Sequence, residues 1–140
     1  MVVFGGATLI RKNDTWLLQL EALTWAQLRP SGPPPARKGH AAACHEDLMA
    51  IHGGDAMGFA FDLWLLDLKE PSAWVQLEQK GPGKVAWPSC ACRGQEMIVF
   101  GGAFASVSCQ RVWGSRHYAR GGSVFCCVNI TARYGANNYR

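Results

Sequence analysis

The sequence predicts an all-β protein built from repeated four-stranded antiparallel sheets, and three observations carry that reading. Three short apolar runs end in a glycine pair, Gly5-Gly6, Gly53-Gly54 and Gly101-Gly102, with 48 residues from each pair to the next. After the first two pairs a tryptophan-bearing run recurs in phase, DTWLLQL over Asp14 to Leu20 and DLWLLDL over Asp62 to Leu68. A hydrophobic content of 49% places the 140-residue chain among globular rather than disordered sequences. A fixed spacing of this length is the size of one supersecondary unit, so the chain is an array of repeats.

The elements follow in the same order in each unit. MVVFGG, LMAIHGG and MIVFGG are apolar and partly β-branched, which suits a strand buried on both faces, and the glycines allow a sharp backbone departure at its end. In the next strand, period two puts Trp16, Leu18 and Leu20, and likewise Trp64, Leu66 and Leu68, on one face. Leu63 and Leu65 make the other face of the second copy apolar too, so something packs on both sides. A further strand is carried by TWAQL (Thr24 to Leu28) and by AWVQLEQ (Ala73 to Gln79). A turn-rich connector closes the unit, PSGPPPARKG in one copy and KGPGKVAW in the next. After it, GHAAAC and WPSCAC supply one more strand before the glycine-ended one.

Four antiparallel strands with two apolar faces describe a propeller blade, which is buried only when flanked by other blades. Counted this way, residues 1–28 are a first blade lacking its first strand, 37–79 a second with all four, and 85–102 the first half of a third. These ordered features resemble a kelch repeat: the glycine pairs, the D-x-W of Asp14/Trp16 and Asp62/Trp64, the later Trp25 and Trp74, and the R-x-G-H of Arg37, Gly39 and His40. The resemblance covers residues 1–102 and implies an incomplete kelch-type β-propeller of between two and three blades, with an irregular C-terminal tail. Two departures stand out. Val85, Trp87 and Pro88 occupy the third unit's R-x-G-H positions, and no D-x-W follows Gly102. Propellers close with about four to eight blades, so fewer than three cannot form a ring. The chain therefore reads as a fragment or variant of a longer kelch-repeat protein; the alternative is that it borrows blades from another chain.

Composition changes at the same boundary. Residues 1–102 carry nine Lys and Arg against ten Asp and Glu, whereas 103–140 carry Arg111, Arg116, Arg120, Arg133 and Arg140 with no acid. This basic, non-repeat segment is expected to be poorly ordered. Its arginines and Tyr118, Tyr134 and Tyr139 fall short of a nucleic-acid-binding module, so nucleic acid is not the expected partner. There is no 18-residue apolar span and no leader-like N-terminus, so neither a membrane segment nor secretion is expected. The six cysteines are then reduced thiols, and an intracellular setting, cytoplasm or nucleus, follows.

Propeller function lives in the loops at the two rims. One rim collects Arg11, Lys12, Arg29, Arg37, Lys38, Lys80 and Lys84 against Asp14, Asp55, Asp62 and Glu78, a net +3; the other is net −4. The expected site is the basic rim, with Arg11, Lys12, Arg29 and Lys38 as cations and Met57 and Phe59 as apolar contacts. Its expected ligand is an acidic segment of another protein, with charge steering the encounter. His40, Cys44 and His52 lie close in sequence but form no compact four-ligand set, so no metal, cofactor or small-molecule substrate is expected. No carboxylate pair, nucleophile elbow or phosphate loop is present either.

The resulting expectation is a non-enzymatic protein-interaction module. Resemblance to kelch proteins implies a scaffold or a substrate-recognition subunit, including that of a ubiquitin ligase. Two alternatives remain: a truncated product without a stable independent fold, and a fragment of a kelch-like propeller enzyme.

Overall fold

Alternating strands and tight turns give three sheets stacked face to face in chain order. The structure, a computed structural model, describes residues 1–78, 84–94, 96–104, 107–108 and 125–129. The first sheet holds β1 (Val2–Ala7), β2 (Arg11–Gln19) and β3 (Thr24–Leu28) in sequential order. The second holds β4 (Ala41–His45), β5 (Leu48–His52), β6 (Leu63–Asp67) and β7 (Trp74–Leu77). The third holds β8 (Ser89–Arg93), β9 (Glu96–Phe100) and, on the other edge of β9, β12 (Phe125–Asn129). β10 (Ala103–Phe104) and β11 (Val107–Ser108) pair separately. Every pairing between these strands is antiparallel. Among the described residues there is no helix, and the stack is an open, incomplete propeller.

The third sheet differs from the sequence-based count, which gave it two strands. β12 lies beside β9 as β6 lies beside β5, although it comes from the segment expected to be irregular. It contributes the apolar run FCCVN, which carries none of the D-x-W signature. Most of the remainder of 103–140, and with it the expectation of poor order, lies outside the described residues.

Period-two alternation sorts the second sheet's side chains between its neighbours. Met49, Ile51, Leu66 and Trp74 face the first sheet and pack with Phe4, joined by Val2, Trp64 and Leu68. Ala41, Ala50, Leu63, Leu65 and Leu77 face the third and pack with Met97 and Val99. Leu63, Leu65, Leu66 and Ile51 are fully buried. Each such side chain contributes about 1.5–3 kcal/mol by leaving water, so these two interfaces hold the stack together.

The glycine pairs are the points where inter-sheet connectors dock. A Cβ on Gly53 would lie 2.5 Å from the Val85 carbonyl oxygen, and one on Gly5 would lie 2.9 Å from that of Arg37. The second glycine of a pair meets the preceding connector instead: Gly54 faces the Lys38 oxygen and Gly102 the Ala86 oxygen, each at 2.8 Å from a would-be Cβ. The same 48-residue offset relates each pair of contacts. Hydrogen bonds repeat it, Gly6 N donating to Arg37 O at 2.9 Å and Gly54 N to Val85 O at 2.7 Å. At Gly53-Gly54, with φ of +68° and +95°, connectors crowd the bare backbone from both sides, whereas Gly6 and Gly101 have no atom within 4 Å of a would-be Cβ.

Two elements of the repeat pattern acquire physical roles. Trp16 Nε1 donates to Asp14 Oδ2 at 2.8 Å and Trp64 Nε1 to Asp62 Oδ2 at 2.6 Å, so D-x-W is an indole-to-carboxylate hydrogen bond along one strand edge. Arg37 is completely buried and fills its donors with Asp62 Oδ1 and Oδ2 (2.6 and 2.7 Å), Gly53 O (2.9 Å) and Pro35 O (3.1 Å). It ties a connector to the glycine pair and the D-x-W strand of the sheet it enters.

One expectation is corrected. Recurrence in phase predicts core packing for Trp16, Trp25, Trp64 and Trp74 alike, yet Trp25 is 51% exposed where its counterpart Trp74 is 5% exposed. The reason is tertiary: the face of the first sheet that bears Trp25 points away from the second sheet and has no sheet against it among the described residues.

Candidate partner-binding rim

The β5–β6 loop, residues 53–62, meets the connectors on its two sides at one rim. Lys38 and Asp55 exchange backbone hydrogen bonds of 3.2 and 2.8 Å, and Val85 N donates to Ala60 O at 3.0 Å. Inside the loop, Ala60 N donates to Gly54 O at 2.8 Å and Ala56 N to Gly58 O at 2.9 Å. A loop pinned at this many points is a rigid platform, and such platforms are where repeat folds carry recognition.

Arg11, expected as a rim cation, is spent on that rigidity. Its Nη2 donates to both Asp55 carboxylate oxygens at 2.8 and 2.7 Å, clasping the first sheet to the loop of the second. That hydrogen bonding holds the Asp55 carboxyl below the usual aspartate range. Arg37 is likewise internal, and Asp62 behaves in kind: burial works to raise its pKa, but hydrogen bonds from Arg37 and Trp64 outweigh it and lower it. With those pairs neutralised, Lys12, Arg29, Lys38 and Lys84 face Asp14 and Glu78 on the described part of the rim. Lys12 and Arg29 are exposed, Arg29 Nη2 donating to Gln27 Oε1 at 3.1 Å, and Lys38 is half-buried. The rim stays cationic, through fewer residues than its sequence suggests.

The apolar part is larger than expected. Met57 stands at the loop tip, 91% exposed, with φ +64°; Phe59 is half-buried, its ring edge-on to Trp87 at 6.1 Å. Trp87 (56% exposed) and Phe61 (54%) extend the same surface and escaped sequence reasoning. The signal for Trp87 was its place: it stands 48 residues after Gly39 and keeps that glycine's left-handed backbone, φ +54° against +61°. Its indole lies against Gly39, where a Cβ would come within 2.6 Å of Nε1. A side chain in that conformation costs about 1–2 kcal/mol, so Met57 and Trp87 are displayed at an energetic cost.

The other titratable groups do different work. Burial, with Arg37 nearby, pushes His40 down to about 4, and burial lowers His52, whose Nδ1 lies 3.0 Å from Asp62 O. Both are neutral at neutral pH; His40 packs in the connector, edge-on to Phe4 at 5.5 Å, and His52 closes β5. Among the described residues no group of three or more His, Cys, Asp or Glu converges. Cys44, Cys90 and Cys92 are free thiols whose pKa values burial raises, which suits packing rather than nucleophilic chemistry.

Comparison with known proteins agrees with the geometry. The KLHDC2/KLHL20/DRC7 Kelch-repeats domain matches residues 1–123. An F-box/kelch-repeat protein of Arabidopsis thaliana is 31% identical over 121 residues, covering 73% of this chain and 25% of that protein. A leucine-zipper-like transcriptional regulator 1 homolog of Drosophila melanogaster is 30% identical over 115 residues, 73% of this chain and 12% of that one. Acyl-CoA-binding domain-containing protein 5 of Arabidopsis thaliana is 38% identical over 86 residues, 58% of this chain and 13% of that one. The chain thus spans a quarter or less of these relatives. Glycine pairs that seat connectors, tryptophans bonded to the aspartate two residues before them, and a match over nearly nine-tenths of the sequence lead to one conclusion: the chain belongs to the Kelch-repeat family.

Proposed function

We propose that this chain is a recognition module whose β5–β6 rim docks a segment of a partner protein that carries an apolar residue flanked by acids. Kelch-repeat domains generally bind other proteins and generally do no catalysis. The observation that supports this rim is Met57: a pinned loop holds an almost fully exposed methionine in a strained backbone, beside Phe59, Phe61 and Trp87. Fully desolvated aromatic and Met contacts supply affinity, and Lys12, Arg29 and Lys38 around them favour an acidic flank and speed its approach. Similarity to an F-box/kelch-repeat protein favours, as the specific form of this role, substrate recognition within a ubiquitin ligase. An intracellular setting suits the free thiols Cys44, Cys90 and Cys92.

The test is a fluorescence-anisotropy titration with a panel of labelled peptides, each with one Leu or Phe among Asp and Glu, against basic controls. Binding is expected for the acidic peptides, weakening with added salt. Lys12→Glu with Lys38→Glu lowers the association rate, and Met57→Ser raises Kd by about tenfold. Lys69→Glu on the opposite rim leaves both unchanged. Peptide binding indifferent to Met57 and to the rim charges would defeat the reading.

A further inference from the structure

We propose that the β1–β2 loop forms a second apolar seat beside the β5–β6 loop, so that the rim takes an extended acidic segment of a partner protein with two apolar residues three or four positions apart. The inference rests on the partner-docking reading above and adds to it a second anchor and a spacing. Its starting point is an apolar residue that recurs in phase without packing on anything. Leu9 stands three residues after Gly6 as Met57 stands three residues after Gly54, an offset of 48. Leu9 is 102% exposed and Ile10 beside it 71%, as Met57 is 91%. That exposure belongs to the place in the repeat. The β5–β6 loop is bonded on both sides, to the connectors at Lys38 and Val85, and still projects Met57 into solvent. Single exposed apolar side chains are ordinary, but Leu9, Ile10, Met57, Phe61 and Trp87 gathered on one rim mark an interaction surface.

Two ties hold the loop tips together. The β1–β2 hairpin is paired as far as Ala7 and Arg11, which leaves residues 8–10 as its tip, closed by Thr8 N donating to Ile10 O at 3.1 Å. The next residue, Arg11, donates through Nη2 to both carboxylate oxygens of Asp55, at 2.8 and 2.7 Å, two residues before Met57. Backbone hydrogen bonds make the second tie: Arg37 N donates to Lys12 O at 2.9 Å, and the adjacent Lys38 exchanges bonds of 3.2 and 2.8 Å with Asp55. Lys12 and Lys38 therefore lie on the path from one tip to the other. The carboxylates beside them are engaged, Asp55 with Arg11 and Asp14 with Trp16 Nε1 at 2.8 Å. The surface runs apolar, cationic, apolar, and its complement runs apolar, acidic, apolar.

Sheet packing sets the spacing. Facing sheets lie about 10 Å apart, and equivalent points on neighbouring loops share that separation. An extended segment advances about 3.3 Å per residue, so anchors three or four positions apart span about 10–13 Å, whereas adjacent residues fall short. Both seats are fixed to the same framework, so filling the second after the first orders little of the protein, and two weak contacts combine.

Fluorescence anisotropy with the 140-residue chain tests this, using labelled peptides that carry, among Asp and Glu, either one Leu or two Leu at spacings of one, four and seven. Two Leu at a spacing of four lower Kd by about tenfold relative to one Leu. Leu9→Ser with Ile10→Ser, both on the exposed tip, abolishes that gain and leaves the one-Leu peptide unchanged, whereas Met57→Ser weakens both peptides; circular dichroism confirms that the variants fold. Binding by the two-Leu peptide alone, with both tips required, also supports the proposal. A second Leu without effect at a spacing of four, or a gain that survives Leu9→Ser with Ile10→Ser, overturns it and leaves the single-anchor reading standing. A gain confined to a spacing of seven is that of a helix, at about 1.5 Å per residue, and overturns the extended segment. No binding by any of these peptides defeats both readings.

Discussion

Gly53→Ala compared with Gly94→Ala isolates what the glycine pairs do. Both residues have left-handed backbones, φ +68° and +53°, so an alanine at either pays about 1–2 kcal/mol of backbone strain. Gly94 has no atom within 4 Å of a would-be Cβ, and Glu46, its counterpart one unit earlier, already adopts φ +50° with a side chain. Gly53 differs in one respect: its Cβ would lie 2.5 Å from the Val85 oxygen and 3.1 Å from Val85 Cγ1. Relief requires moving the connector, which adds about 1–3 kcal/mol of overpacking and loosens the 2.7 Å Gly54-to-Val85 hydrogen bond, worth about 1 kcal/mol. Gly53→Ala therefore costs about 3–6 kcal/mol and Gly94→Ala about 1–2. The assay is urea unfolding followed by tryptophan fluorescence. At a slope of about 2 kcal/mol per molar, the two midpoints separate by about 1 M or more. Equal midpoints would show that connectors do not press on the glycine pairs, and the account of the repeat would fail.

Two further outcomes follow from buried charge. Arg37→Met strands the half-buried Asp62 carboxylate together with the Gly53 and Pro35 carbonyls, at a cost of about 3–5 kcal/mol in a thermal melt; Asp62→Asn added to it costs less than the sum of the single changes, and strict additivity would refute the pairing. Stability also falls on acidification: His40 titrates near 6.5 when unfolded and at about 4 when folded, so the unfolded chain binds the extra proton between those values. The contribution is fully present above pH 6.5, is reduced by about 2 kcal/mol at pH 5, and levels out below 4. His52 shifts in the same direction. Urea midpoints at pH 7.5, 6 and 5 read the slope, His40→Asn flattens it, and a wild-type midpoint unchanged across this range would contradict the burial of His40.

Much of the fold was legible because it rests on periodicities of the chain itself. The glycine pairs, the D-x-W runs and the alternation of Met49, Ile51, Leu66 against Ala50, Leu63, Leu65 locate strands and assign faces, since side-chain direction along a strand is a local property. β3 coincides with the TWAQL run, and β6 lies one residue inside DLWLLDL at each end. β12 was harder: FCCVN is a bare apolar run, and what makes it a strand is the vacant edge of β9.

The candidate rim divides in the same way. Sequence placed Arg11, Lys12, Arg29, Lys38, Met57 and Phe59 on one rim, because loop membership follows from strand order. It could not tell that Arg11 closes on Asp55, 44 residues away, and so leaves the set of available cations. Nor could it tell that Trp87 would keep a glycine's backbone and lie on Gly39, since that depends on the neighbouring connector. Sequence alone settled that this chain is a run of kelch blades and which residues each blade turns to either side. Tertiary structure alone decided which of those sides is covered: Trp25 and Trp74 share a place in the repeat, and only the arrival of Phe4 against one of them makes it core.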